Sequence, residues 1–176
     1  MKYCSNCAAP VEFKVPEHDD RERYCCPSCN HIHYVNPKVI VGCIPIWEDK
    51  ILMCKRGIEP QKGYWTLPGG FMEMDETTEQ GALRETWEET RARAEIVKLH
   101  GVYNIPQISQ IYFFYLANLL APDYETTFES IEIRLCEKKD IPWDQLAIKV
   151  VDLALKQYVD DKDNIQLPYH HREIRL

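Results

Sequence analysis

The sequence predicts an α/β fold, in which a mixed β-sheet packs against helices, with a small cysteine-rich module ahead of it. Apolar and β-branched runs alternate with two segments of helical periodicity, in the order β, β, α, β, β, β, α. The 176 residues, 45% hydrophobic and 28% charged, are enough for one full core and one small appended unit. We therefore expect an α/β sandwich with a mixed sheet, preceded by a module that has little core of its own.

The N-terminal cysteines form two pairs with the spacing of a metal site. Two residues separate Cys4 from Cys7 and Cys26 from Cys29, and residues 8–25 lie between the pairs. This spacing is typical of a four-cysteine zinc ribbon, in which four thiolates surround one Zn²⁺ and the metal supplies folding energy. Cys25 is an adjacent competitor, but only Cys26 completes the two-residue spacing to Cys29. The alternative interpretation is four reduced cysteines without a metal.

A turn at Asn36-Pro37 follows the ribbon and precedes the first strand-like run. We expect the ribbon to span residues 1–34 and the main domain, with its C-terminal helix and tail, to span residues 35–176. The predicted strands of the main domain are residues 39–47, 51–55, 94–103, 110–120 and 131–136, and the predicted helices are residues 76–91 and 143–160.

The charge and the apolar pattern exclude two classes of partner. A net charge of −7 and a pI near 5.4 argue against a broad nucleic-acid surface, because such surfaces are basic. No run approaches the roughly 18 to 20 apolar residues of a membrane span, and the first residues begin no apolar leader. We expect a cytoplasmic protein with no nucleic-acid or membrane partner.

The first predicted helix carries three carboxylates on one narrow arc. Thr77 and Gln80 form a capping box at its start. At about 100° per residue, Glu88 and Glu89 fall within about 60° of Glu85, one on each side. Like charges at this spacing destabilise a helix by about 0.2 to 0.5 kcal/mol per pair, which a bound cation would relieve. Carboxylate oxygens favour Mg²⁺ or Mn²⁺ as that cation, and a solvated acidic helix surface is the alternative.

The same helix belongs to a longer pattern of spaced residues. The pattern comprises Gly70, Glu76, Arg84, Glu85, Glu88 and Glu89, with Leu67-Pro68-Gly69 directly before it. It resembles the signature box of the Nudix hydrolases, and the resemblance implies a Nudix-type α/β/α sandwich and a metal-dependent hydrolase. Two positions depart from the family's pattern. Thr86 replaces an apolar residue, and Arg91 replaces the glycine at which the chain usually leaves the helix.

The resemblance implies a catalytic role for each charged box residue. Glu85, Glu88 and Glu89 would be the helix-borne metal ligands, and Glu88 or Glu89 would orient or deprotonate the attacking water. Arg84 would orient one of the box carboxylates, with Glu76 as the expected partner.

Members of the family commonly add a carboxylate from a downstream loop. We assign this role to Glu129, as a further metal ligand and catalytic residue, with Glu132 as the alternative. An ordinary surface position before a strand is the competing interpretation for both. The family is often dimeric, so a homodimer is also an expectation.

The implied reaction is hydrolysis of a diphosphate in a nucleoside diphosphate linked to another moiety, which gives AMP and a second monophosphate. A ribbon ahead of the box is similar to the NADH pyrophosphatases, but their Ser-Gln-Pro-Trp-Pro-Phe-Pro run is missing here. Pro106 resembles the proline that marks ADP-ribose pyrophosphatases, or it simply ends a strand. The ribbon with the box also resembles plant FAD pyrophosphatases, so we favour ADP-ribose or FAD, with NADH as the alternative.

Three aromatic residues are candidates for stacking on an adenine ring or, equally, for the core: Trp65, Tyr103 and Tyr112. The rival function from another class is a non-hydrolysing nucleotide sensor whose ribbon contacts a protein or nucleic acid. The intact box carboxylates favour the enzyme.

Overall fold

The computed structural model describes residues 1–161 and 170–175 of the chain. It divides into two compact units, Met1–Pro37 and Lys38–Leu176. Among the described residues, no helix is long and apolar enough to cross a membrane.

The N-terminal unit is a three-stranded antiparallel sheet with almost no apolar interior. Its strands are β1 Glu12–Lys14, β2 Arg23–Cys25 and β3 Ile32–His33, in the order β1-β2-β3. Its buried side chains are Cys4, Cys25, Cys26 and His33. A unit this small cannot offset its loss of conformational entropy by apolar burial alone, so a metal held by thiolates is the expected source of its stability.

The second unit is built on one mixed sheet. Its strands are β4 Lys38–Trp47, β5 Lys50–Arg56, β6 Trp65–Thr66, β7 Gly69–Phe71, β8 Ala94–Ile105, β9 Gln110–Leu119, β10 Ser130–Glu137 and β11 His170–Glu173. The main path runs β10-β5-β4-β9-β8-β11, with β6 paired to β5 and β7 to β4. The pairs β4·β9 and β11·β8 are parallel, and the other pairs are antiparallel.

Two helices cover opposite faces of this sheet. The helix α1 Thr78–Thr90 packs through Ala82 against a cluster that contains Val41 and Tyr115. The helix α2 Lys149–Asp160 packs through its buried residues against a separate cluster that contains Phe114. Because neighbouring strand residues such as Phe114 and Tyr115 point to opposite faces, the two clusters lie on the two sides of the sheet. The predicted α/β sandwich with a mixed sheet is confirmed.

The second helix begins later than its apolar periodicity predicted. Residues Trp143–Gln145 form a single 3₁₀ turn, and the α-helix starts only at Lys149. The backbone between them is used by the sheet, since Leu146 bridges Trp65 and the Ala147 N–H donates to the Trp65 carbonyl at 2.8 Å. A backbone group that pairs with a strand is not free to close a helical turn.

Candidate active site and zinc ribbon

The local sequence fixes both ends of α1. The Thr77 hydroxyl accepts from the Gln80 N–H at 3.2 Å, and the Gln80 side chain accepts from the Thr77 N–H at 2.8 Å, so the predicted capping box forms. The helix ends at Thr90, and Arg91 adopts a left-handed conformation with φ of 58°. Arg91 therefore takes the backbone position usually given to glycine, and its guanidinium lies 4.4 Å from the centre of the Trp87 ring.

Thr86, the other departure from the family pattern, lies on the buried face of α1. The side chain is fully buried, and its hydroxyl donates to the Ala82 carbonyl at 2.8 Å. This bond satisfies the polar atom within the helix itself, so a threonine replaces an apolar residue there without leaving a buried donor unpaired.

Strand β7 passes close to α1 because Gly70 has no side chain at the point where the strand meets the helix. A Cβ added to Gly70 would lie 2.6 Å from the carboxylate atoms of Glu85. A Cβ added to Gly81 would lie 2.5 Å from Oε1 of Glu76. The glycines therefore make room for two of the box carboxylates.

Arg84 joins three of the carboxylates into one network. It donates to both Glu76 oxygens at 3.0 and 2.8 Å, to Glu85 at 2.8 Å and to Glu88 at 2.9 Å. A fifth bond reaches the Phe71 carbonyl at 3.1 Å. The bidentate pairing with Arg84 lowers the pKa of Glu76 to about 2. Glu76 accepts from Arg84 through both oxygens and from the Glu73 N–H at 2.7 Å, and Arg84 in turn fixes the position of Glu85 and Glu88.

Glu89 has a different environment from the other carboxylates. It is only 7% exposed, and its Oε2 lies 3.5 Å from the Cys54 Sγ. Burial, followed by repulsion from Glu85, raises the pKa of Glu89 to about 8. Burial also raises the pKa of Glu85. Two carboxylates with raised pKa values in one cleft are typical of a site that holds a cation or moves a proton.

The structure separates the two downstream candidates. Glu129 lines the same cleft as Glu85, Glu88 and Glu89. Its backbone carbonyl accepts from the Gly57 N–H at 2.7 Å, which ties the loop that carries it to the end of β5. Glu132 lies on β10 and forms an ion pair with Lys55 at 3.1 Å.

The four carboxylates that line this cleft offer a donor set for a hard divalent cation. Glu85, Glu88, Glu89 and Glu129 present only oxygen atoms, and Arg84 is their only direct ion-pair partner among the described residues. A single guanidinium leaves a net negative charge among four carboxylates, which a cation such as Mg²⁺ or Mn²⁺ would neutralise. The donors present therefore fit a hard divalent cation of this kind.

The cleft around the carboxylates has a volume of about 520 Å³. Besides the box residues, its lining includes Arg56, Phe71, Gln110 and Tyr112. The sequence pattern nominated only Tyr112 of these four. Arg56, Phe71 and Gln110 carry no spacing signal, since β5, β7 and β9 bring them to the cleft from separate parts of the chain.

Two of the three aromatic candidates for base stacking belong to the core. Trp65 is 3% exposed and packs in the cluster under α2. Tyr103 is fully buried, and its hydroxyl donates to the Gln157 side chain at 2.6 Å. Pro106 begins an exposed 3₁₀ turn, Pro106–Ile108, between β8 and β9, and does not line the cleft.

The four predicted ribbon cysteines come together in the N-terminal unit. Their Sγ atoms lie within 4.8 Å of one another, with Cys7 and Cys26 3.5 Å apart and Cys4 and Cys29 3.7 Å apart. Cys25 points instead to the Lys14 and Arg23 carbonyls, at 3.8 and 3.6 Å. Four converging thiols fit one tetrahedral zinc, because tetrahedral Zn–S bonds of about 2.3 Å place the sulfurs about 3.8 Å apart.

Family models match both units of the chain. The model described as NUDIX domain matches residues 36–154, and the zinc-ribbon model described as Nudix N-terminal matches residues 2–35. The chain belongs to the Nudix hydrolase family. A crystal structure of a NUDIX hydrolase from Nitrosomonas europaea is 50% identical, covers 99% of both chains and superposes with a TM-score of 0.95.

Two of the curated relatives have names that state different activities. An ADP-ribose pyrophosphatase from Methanocaldococcus jannaschii is 44% identical over 73 residues, which is 42% of this chain and 43% of the relative. A NAD-capped RNA hydrolase NudC from Photobacterium profundum is 28% identical over 162 residues, which is 88% of this chain and 58% of the relative. The chain therefore spans about half the length of each of these relatives.

Proposed function

We propose that this Nudix hydrolase cleaves the diphosphate bond of a nucleoside diphosphate linked to another moiety, with ADP-ribose or FAD as substrate. The products are AMP and ribose 5-phosphate, or AMP and FMN. One observation carries the proposal: Glu85, Glu88, Glu89 and Glu129 line one cleft together with the arginine that braces two of them.

The four carboxylates of the cleft share one role, and Arg84 has another. Glu85, Glu88, Glu89 and Glu129 would hold Mg²⁺ or Mn²⁺, which when bound neutralises the diphosphate and acidifies a coordinated water. Arg84 holds Glu85 and Glu88 in fixed rotamers, so little rearrangement is needed when substrate arrives.

The reaction balances without a further reactant. The water oxygen forms a bond to one phosphorus, and the bond from that phosphorus to the bridging oxygen breaks. Glu88 or Glu89 accepts the proton that the water loses, and the bridging oxygen leaves on the second monophosphate.

The rest of the cleft fits the ADP half that these substrates share. The Arg56 Nε donates to the Pro60 carbonyl at 2.8 Å, and Arg56 lines the cleft, where its guanidinium would meet an anionic phosphate. Tyr112 also lines the cleft, and its hydroxyl donates to Gln110 at 2.9 Å. The name of the Methanocaldococcus jannaschii relative supports ADP-ribose as the first substrate to test.

The second candidate is an NAD(H) diphosphatase. The NudC relative favours it, because that match covers 88% of this chain. Against it, the chain has Asn104-Ile105-Pro106-Gln107-Ile108-Ser109-Gln110 in place of the run that is typical of NADH pyrophosphatases. Discrimination between these substrates depends on groups beyond the shared ADP, and Gln110, the last residue of this stretch, lines the cleft.

The test is kcat/KM for ADP-ribose, FAD, NADH and diadenosine polyphosphates at one fixed Mg²⁺ concentration. We expect ADP-ribose or FAD to exceed NADH, with AMP among the products. A clear preference for NADH would replace the first candidate with the second. Saturable binding of these nucleotides without turnover of any of them would support the sensor instead.

A further inference from the structure

A second cluster of metal-ligating side chains lies away from the cleft. It consists of His100 on β8, Asp161 directly after α2 and His170 at the start of β11. One ligand atom from each residue lies within 4.8 Å of the other two. None of the three lines the cleft that holds the box carboxylates.

His100 is held in the form that binds a metal. The ring is 2% exposed, and its Nε2 lies 3.1 Å from the Ala154 carbonyl, which can only accept, so Nε2 carries the proton. The lone pair is then on Nδ1. Metal-bound histidines commonly donate their other N–H to a backbone carbonyl in this way, which fixes the ring and its tautomer.

His170 and Asp161 complete the cluster from two further elements. The His170 Nε2 lies 2.7 Å from the Asp161 Oδ2, and the His170 and His100 ring centres are 5.2 Å apart. Both side chains are mostly covered, with 17% and 23% exposed. The C-terminal end of α2 adds partial negative charge at this point, which favours a cation.

Two imidazoles and one carboxylate are a donor set that suits Zn²⁺. Zinc with bonds of about 2.0 to 2.1 Å holds its ligands about 3.3 Å apart, so side-chain movements of about 1 Å would close this cluster on an ion. We propose that His100, Asp161 and His170 bind one Zn²⁺, with water in the fourth position. The ion would fasten β11 to β8 and to the end of α2, and it is additional to the zinc of the ribbon.

The neighbouring histidine provides a matched control. His171 is next to His170 on the same strand, but its Nε2 lies 3.0 Å from the Asn104 side chain and it is not part of the cluster. His171→Ala therefore removes an imidazole from β11 without removing a ligand.

The experiment is a Zn²⁺ titration of the full chain, with its ribbon zinc in place, in excess Mg²⁺ to occupy the carboxylates of the cleft. Bound zinc is counted by elemental analysis after gel filtration. We expect the wild type and His171→Ala to take up about one further equivalent per chain, and His170→Ala and Asp161→Asn to lose it. Equal uptake by all four proteins would overturn the proposal.

A second measurement uses the wild type alone, so it does not depend on the variants folding. The amides of residues 170–175 should exchange with deuterium more slowly when Zn²⁺ is added, because the ion ties the start of β11 to two other elements. Exchange at the same rate with and without Zn²⁺ would show that no ion is bound at this cluster. His170 and Asp161 would then be only a hydrogen-bonded pair beside His100.

Discussion

The substitution Glu89→Gln tests how the buried carboxyl of Glu89 changes the stability of the protein with pH. Burial raises the pKa of Glu89 from 4.5 to about 8 in the metal-free protein. Between these two pH values the folded state holds a proton that the unfolded chain has released. This proton uptake lowers the free energy of unfolding by about 1.36 kcal/mol for each pH unit above the pKa of Glu89 in the unfolded chain. At pH 7 the cost is about 3 kcal/mol.

The sign of the effect follows from the raised pKa. The stability that protonated Glu89 confers is fully present below pH 4.5 and is lost as the pH rises through about 8. A glutamine cannot ionise, so Glu89→Gln should keep that stability at all pH values. Near pH 8, where this cost has grown to about 4 kcal/mol, we expect the variant in Mg²⁺-free buffer to melt about 8 to 16 °C above the wild type, as an upper estimate, with little difference near pH 5.

The assay is thermal unfolding followed by circular dichroism at both pH values. Glu88→Gln is the matched control, because the Glu88 side chain is 49% exposed and belongs to the same helix. It should show no such pH-dependent gain. Equal melting-temperature gaps at pH 5 and pH 8, or the same gain in both variants, would refute the argument from burial. Added Mg²⁺ should stabilise the wild type more than Glu89→Gln, since the variant has lost a charged ligand.

Three further outcomes are expected. Purified protein should contain about one zinc in its ribbon, which Cys26→Ser loses and Cys25→Ser keeps, as measured by elemental analysis; zinc retained by Cys26→Ser would implicate Cys25 instead. Glu129→Gln should lower kcat by about tenfold or more and Glu132→Gln should not, because only Glu129 lines the cleft; equal effects would remove Glu129 from the site. Arg84→Lys should lower kcat/KM by about 10- to 100-fold, because lysine cannot reproduce the forked bonds; wild-type kinetics would contradict this.

The sequence was sufficient for the parts of the site that lie on one continuous element. The capping box at Thr77 and the spacing from Glu85 to Glu89 place the box carboxylates without any tertiary information, because a helix repeats every 3.6 residues. The ribbon cysteines were predictable for a similar reason, since each pair lies within one short turn.

The parts that depend on tertiary pairing were not predictable. Arg56 and Gln110 reach the cleft from separate strands, and neither has a distinctive spacing. Strand β11 has the sequence His-His-Arg-Glu, which shows no apolar alternation, and only its parallel pairing with β8 defines it. The late start of α2 likewise depends on the Trp65 carbonyl, which lies far away in the sequence. Local periodicity contains no information about such partners.

The central claim is that the carboxylates of α1 and the loop carrying Glu129 form a hydrolytic metal site. The most direct measurement is Mg²⁺-dependent turnover, on the best diphosphate substrate, by the wild type and by Glu88→Gln/Glu89→Gln. We expect the double variant to bind the nucleotide and to lose turnover by orders of magnitude, while its circular dichroism spectrum stays unchanged. Unchanged turnover in the folded double variant would contradict the account.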